Sequence, residues 1–138
     1  MFGVKSKFVD ESKSVNDAAA KGSFKSLGHA AASIGKSARK RVRTRRAGVA
    51  APAGKTPFTH KGAYFRRAIR YHVERAKDVA KQDAVIGHRF SVVGEVGALH
   101  EFGEVQDGLD YPVRPTMGPA LEEALPRLPS EWAGTIGK

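Results

Sequence analysis

Residues 15–42 read VNDAAAKGSFKSLGHAAASIGKSARKRV and form the longest stretch of the chain with a helical apolar period. Val15, Ala18 and Ala19 begin an apolar stripe, and Phe24, Leu27, Ala31, Ile34, Ala38 and Val42 continue it at spacings of three and four. This spacing places them on one face of an α-helix, and that face must pack against a second layer. Asp10 or Ser14 is a candidate N-cap, and Gly22-Ser23 is a candidate kink.

The segments that follow are shorter and predict that second layer. Residues 69–73 alternate and residues 84–87 form an apolar run, so both indicate strands, whereas residues 90–93 either extend the sheet or belong to a loop. Residues 63–68 and 94–103 favour helical turns. Residues 111–115 are extended because two prolines restrict them, and a last amphipathic helix begins near Met117. Residues 2–9 suggest one more short strand.

These elements predict an α+β fold, in which a long N-terminal amphipathic helix packs on a small, mainly antiparallel sheet, with a C-terminal helix. A chain of 138 residues is expected to form one domain, 1–138, with loops at 47–62 and 104–110.

The charges are distributed very unevenly. The net charge is +10; residues 18–73 hold fourteen Lys or Arg and no acid, while residues 74–138 hold seven basic and eleven acidic residues. Seven cations lie within eleven residues, at Lys36, Arg39, Lys40, Arg41, Arg43, Arg45 and Arg46. Such a run can face an acidic neighbouring subunit, DNA phosphate or solvent. No base-reading motif is present, so any DNA contact would be non-specific.

No catalytic pattern emerges from the sequence. There is no cysteine, and His100-Glu101 lacks the second histidine of a zincin motif. The other histidines and the carboxylates Asp78, Asp83, Glu95, Glu101 and Glu104 show no metal-ligand spacing, and no nucleophile elbow or phosphate loop is present. We therefore expect a protein that is not an enzyme and that uses neither metal nor cofactor.

No apolar run approaches the roughly 20 residues that a membrane span needs, and the N-terminus lacks the apolar core of a signal peptide. The expectation is a soluble protein that is made in the cytoplasm and has no membrane partner.

Two stretches carry a resemblance to a known family. The first is PAGKTPFTHKG at 52–62, which is followed by FRRAIRY at 65–71; the second is HEFG at 100–103, which is followed by YPVRPTMGPAL at 111–121. In order and spacing they resemble the neck and tail-completion proteins of tailed bacteriophages, also called tail-component or virion morphogenesis proteins. The resemblance covers about residues 10–126, and Phe65 stands where leucine is commoner in that family.

The resemblance implies the same α+β fold and a structural role in the virion. Related proteins form rings between the portal and the tail tube. The chain would therefore be a head–tail junction protein that assembles in the host cytoplasm into a homo-oligomeric ring. A hexamer is expected first because tail tubes are sixfold, and a dodecamer second. Neighbouring connector or stopper and tail-tube proteins would be partners, with genomic DNA in the lumen as a further one. Whether the ring is neck, terminator or stopper stays open.

The same resemblance assigns a structural role to Gly62, Phe65, Ile69, His100, Glu101, Phe102, Gly103, Arg114 and Pro115. Within residues 100–103, we expect Phe102 to be a core anchor, Gly103 a helix C-cap and Glu101 an exposed side chain. The acidic loop 104–110 would offer Glu104, Asp107 and Asp110 to an interface, and this loop and 47–62 would become ordered on assembly. The alternative function is a small basic protein that binds DNA non-specifically through residues 39–46.

Overall fold

The computed structural model describes residues 10–134, and its longest element is helix α1 (Ser12–Arg41). Its 30 residues span about 45 Å. The N-cap of α1 is Glu11, neither Asp10 nor Ser14, and the carboxylate of Asp10 one residue earlier accepts a hydrogen bond from the Ser12 N–H at 2.9 Å. The helix continues through Gly22-Ser23, the candidate kink, and Ser23 is buried in the packed face. The strand predicted at 2–9 lies outside the described residues.

Helix α1 packs on a two-stranded sheet and on the C-terminal helix α5 (Met117–Ala124). Strands β1 (Ile69–Val73) and β2 (Ala84–His88) pair antiparallel, from Ile69 opposite His88 to Val73 opposite Ala84. The central cluster of buried side chains comes from all these layers and consists of Ile34, Ala38, Val42, Ile69, Ala120 and Ala124. The predicted α+β class, with its long first helix and C-terminal helix, is confirmed.

The remaining elements are short. In chain order they are α2 (Tyr64–Arg67), a 3-10 turn (Val79–Lys81), α3 (Phe90–Val93), α4 (Val96–Phe102), β3 (Glu104–Gln106), β4 (Leu109–Tyr111), a second 3-10 turn (Leu125–Arg127) and α6 (Leu128–Trp132). Residues 90–93 are thus neither strand nor loop. The Val92 and Val93 N–H groups donate back to the carbonyl of Arg89, so the chain turns away from the sheet directly after β2.

The apolar stripe of α1 is buried in its second half only. Ala31, Ile34, Ala38 and Val42 are buried as predicted, but Val15 is 54% exposed and Ala18 is also exposed. A five-residue strand spans about 17 Å, far less than the length of α1, so the sheet ends before it can cover the first turns of the helix.

The core is built mainly from small side chains. Among the described residues, the buried apolar side chains larger than alanine are Ile34, Val42, Pro57 and Ile69; the others are Ala20, Ala30, Ala31, Ala38, Ala51, Ala68, Ala120 and Ala124. Small residues let α1 lie close to the layers beneath it. They also bury little apolar surface each, and larger partly buried side chains, Phe65, Ile86, Met117 and Leu128, pack against the cluster from its edges.

The Glu101 side chain caps the N-terminus of α5, although it lies on α4. Thr116, at the N-cap of α5, makes no side-chain capping bond. Instead, one Glu101 oxygen accepts from the Thr116 and Met117 N–H groups at 2.8 and 3.0 Å, and the other accepts from the Gly118 N–H at 2.8 Å. A carboxylate is favoured there because free N–H groups and the helix dipole both attract negative charge. The prediction that Glu101 is an exposed residue is therefore wrong.

Gly103 ends α4, as predicted. Its N–H donates to the carbonyl of Leu99 at 2.9 Å, and its φ of 66° lies in the left-handed region. A Cβ at this position would lie 2.9 Å from the carbonyl oxygen of Tyr111, so a side chain would force the returning strand away. The close approach of residues 103 and 111 thus requires glycine.

The loop at 47–62 is fastened to the segment before α5. The Arg114 Nε donates to the carbonyl of Ala51 at 2.6 Å, and the Gly54 N–H donates to the carbonyl of Val113 at 2.7 Å. The hydroxyl of Thr56 donates to the carbonyl of Pro115 at 3.1 Å. These bonds join this part of the loop to the segment before α5 in the same subunit.

Replacing Glu101 with Gln should lower the free energy of unfolding by about 2 kcal/mol, because the charged acceptor at the start of α5 is lost. Urea denaturation measures this. Glu122→Gln is the matched control, since Glu122 is exposed on the same helix; its effect should stay within about 0.5 kcal/mol. Equal midpoints for the two variants would show that the cap contributes nothing.

Candidate assembly surfaces

A strongly charged cleft of about 530 Å³ lies beside the C-terminal half of α1. It is called the basic cleft here, and its lining residues are Ser33, Lys36, Ser37, Lys40, Arg41, Arg43, Thr56, Glu123 and Arg127. Lys36 and Lys40 lie one turn apart on α1 and share a face. Five cations and one carboxylate therefore line the same space.

The carboxylate in the basic cleft is held by two neighbours. Oε2 of Glu123 accepts from the Ser37 hydroxyl at 2.9 Å and from Arg41 at 2.8 Å. The hydrogen bonds from Ser37 and Arg41 lower the pKa of Glu123. Among residues 10–134, the other ion pair joins His29 to Glu131 at 4.0 Å. Lys36, Lys40, Arg43 and Arg127 thus have no paired carboxylate in the described part of the chain.

The basic run predicted as one surface is divided by the fold. Lys36, Lys40, Arg41 and Arg43 line the basic cleft, whereas Arg39, Arg45 and Arg46 do not. Arg39 donates to the carbonyl of Ile69 at 3.1 Å and so joins α1 to β1. The guanidinium of Arg45 lies 5.3 Å from the centroid of the Phe58 ring, and Arg46 is exposed. The seven cations therefore do not line one cleft: Arg39, within α1, is bonded to β1, and Arg45 and Arg46 follow the end of α1 at Arg41.

The segment predicted as an acidic loop is instead a β-hairpin. Strands β3 and β4 pair antiparallel with Glu104 opposite Tyr111. The connecting residues Asp107 and Gly108 have φ of 52° and 74°, as a type I′ turn requires. The sequence does carry a signal for this turn, the Asp-Gly pair between two β-forming segments. Residues 104–111 are called the acidic hairpin here; all eight are exposed, including Glu104, Asp107 and Asp110.

The prediction that Phe102 is a core anchor is wrong, since its side chain is 78% exposed. Glu101 must turn toward the start of α5, and the next residue of a helix points about 100° further round. Phe102 and Phe90, which is 71% exposed, lie at a groove of about 360 Å³. This apolar groove is lined by Ile86, Gly87, His88, Phe90, Gly94, Glu95, Gly97, Ala98, Glu101, Phe102 and Met117.

Phe65 joins the two motif stretches in space. Its ring centroid lies 4.1 Å from that of His88 and 5.3 Å from that of His100. Burial lowers the pKa of His88 to about 4; the Glu101 carboxylate opposes this shift and His100 reinforces it. Burial, followed by the charge of Arg114, also lowers the pKa of His100. Both imidazoles are therefore neutral packing groups at neutral pH.

The motif residues accordingly hold the fold together. Ile69 is fully buried, Gly62 has a φ of 88°, and the carbonyl of His100 accepts from the Arg114 N–H at 2.6 Å. Within residues 10–134, no group of His, Asp or Glu side chains is arranged to hold a metal ion. Over the same range, no helix combines the length and apolar character needed to cross a bilayer.

No protein-family model, curated protein or solved structure matches this chain. The functional interpretation therefore depends on the surfaces themselves and on the motif resemblance.

Phe102→Ala should change the free energy of unfolding by less than about 0.5 kcal/mol, because the ring is exposed in the subunit. Thermal unfolding of dilute protein measures this. The matched variant Ile69→Ala removes a fully buried side chain and should cost about 2–5 kcal/mol. A comparable loss in both variants would show that Phe102 belongs to the core.

The subunit should lose stability as the pH falls from about 6.5 toward about 4, since the His88 pKa is below its unfolded value and the unfolded chain takes up more protons. Urea denaturation at about pH 7.5 and about pH 5 measures the loss. His88→Gln should reduce it, while His72→Gln, at an exposed histidine, should not. An unchanged pH dependence in His88→Gln would contradict this assignment.

Proposed function

We propose that this chain is a structural virion protein that forms a homo-oligomeric ring at the head–tail junction of a tailed phage. It would act as a neck or tail-completion (terminator) subunit that joins the DNA-filled head to the tail. The observation that carries the proposal is the exposure of large apolar side chains. Alanines predominate among the buried apolar residues, while Phe102, Phe90 and Val105 are each at least 70% exposed. Surfaces of this kind mark protein contacts.

The positions of the motif residues support the same role. The two stretches that resemble the phage family lie against each other, through the Phe65–His100 contact and through the bonds of Ala51 and Thr56 to Arg114 and Pro115. Groups in these stretches pack against each other, cap α5 and join the 47–62 loop to the segment before α5. A subunit whose task is to present surfaces to its neighbours needs such a scaffold, and it needs no reactive group.

The proposed ring has six subunits, in keeping with the sixfold tail tube, or twelve as the second possibility. Its partners would be a connector or stopper protein on one side and tail-tube protein on the other, with genomic DNA passing through the lumen. The protein would assemble in the host cytoplasm and remain in the virion.

Non-specific DNA binding is the second candidate, and the basic cleft favours it. Lys36, Lys40 and Arg43 are exposed and unpaired within the described chain, as phosphate contacts require. A gel shift on duplex DNA separates the two functions. Tight binding by the isolated monomer at about 150 mM salt would favour DNA binding as the main activity.

Negative-stain electron microscopy of the concentrated protein, together with its mass by light scattering, should show a ring of six or twelve subunits with a central opening. Phe102→Ala should weaken assembly while the subunit stays folded, because it removes an exposed apolar contact. A wild-type protein that stays monomeric at every concentration and binds duplex DNA would contradict the proposal.

A further inference from the structure

The acidic hairpin has little support within its own subunit. It consists of two three-residue strands, and its main contacts are between those strands. A lone two-stranded hairpin is marginal in water unless another surface covers it. Val105 is 70% exposed and Leu109 is 61% exposed. The hairpin therefore presents a short exposed arm with apolar side chains and three carboxylates.

The basic cleft has the opposite imbalance of charge, an excess of cations. It is lined by five cations, and one carboxylate, Glu123, lies among them. No residue of the acidic hairpin lines the cleft, so the two surfaces do not satisfy each other within one subunit. Contact with a second copy of the chain would give each surface partners of opposite charge.

We infer that the acidic hairpin of one subunit docks into the basic cleft of the next, an inference that rests on the proposed ring. Such a contact is heterologous, since the two partners use different surfaces, and it closes into a ring when the rotation between subunits allows. Lys36, Lys40 and Arg43 would receive the carboxylates of Glu104, Asp107 and Asp110. Opposite charges at this contact guide the register between neighbours.

Glu123 shows that the cleft already binds a carboxylate. The Ser37 hydroxyl and Arg41 hold its Oε2 at 2.9 and 2.8 Å, which is hydrogen-bond geometry for an acidic side chain. The charge of Glu123 lowers the attraction of the cleft for any further anion, whether phosphate or carboxylate. The acidic hairpin, carried by the same subunit, would repel a nucleic acid. The observations thus favour a protein carboxylate as the ligand.

Disulfide trapping tests the contact directly, because the chain has no cysteine. Gln106→Cys places a thiol beside the hairpin turn, and Ser33→Cys places one in the cleft; neither changes a charge. Mixing the two single variants under oxidising conditions should give a disulfide dimer. The double variant should give a ladder of linked subunits that ends at the number in the ring. Ser14→Cys, exposed on α1 outside the cleft, replaces Ser33→Cys as the control.

Charge reversal gives an independent readout. Glu104→Lys with Asp110→Lys should weaken self-association about 10-fold to 100-fold, and Lys36→Glu with Lys40→Glu should do the same. A chain that carries all four substitutions should assemble again. Self-association is measured by sedimentation at low salt, where surface charges are least screened.

The outcomes separate the two proposals. Rings that form normally in both reversed variants, with no trapped dimer above the Ser14→Cys control, overturn the hairpin–cleft contact and leave the ring proposal standing. Wild-type protein that never assembles overturns both. Loss of duplex DNA binding on cleft reversal, with rings intact, would assign the cleft to nucleic acid and overturn the contact.

Discussion

The Glu101 carboxylate is the interaction on which the second half of the molecule depends. Its two oxygens hold three N–H groups at the start of α5, and α5 supplies Ala120 and Ala124 to the core against α1. Gly103, two residues later, lets the chain leave α4 and return beside itself. One short helix thereby sets the position of the C-terminal helix, the base of the acidic hairpin and the outward direction of Phe102.

Much of the architecture could be predicted from local patterns. The period of α1, the alternation at 69–73, the prolines after Tyr111 and the glycine at 103 each act within a few residues, and their elements are found where expected. Interactions between distant segments could not be predicted in this way. Glu101 binds backbone N–H groups fifteen to seventeen residues away. Almost every residue has such a group, so the sequence does not indicate which residues are the partners. The exposure of Phe102 follows from that bond, so one error led to the other.

The candidate surfaces were predicted less well than the fold. The charge asymmetry correctly located a basic region on α1 and an acidic one at 104–110. It could not show that Arg39 and Arg45 are used inside the subunit, because this depends on where α1 ends and on which groups lie opposite. The acidic segment is a hairpin rather than the predicted loop, and the Asp107-Gly108 pair is the sequence signal for its turn. Charge density alone thus overestimates the area of a binding surface, and turn chemistry determines its shape.

The two sides of α1 are under different constraints. The inner face, with the buried Ala31 and Ala38, is packed against the layers beneath it, so larger side chains there would overpack the core, at a typical cost of about 1–3 kcal/mol. The outer face carries the exposed Lys36 and Lys40, so substitutions there do not change the packing of the core. Changes in partner preference can therefore accumulate on one side of a single helix while the fold stays intact. A scaffold organised in this way can be adapted to a new neighbour by a few charge substitutions.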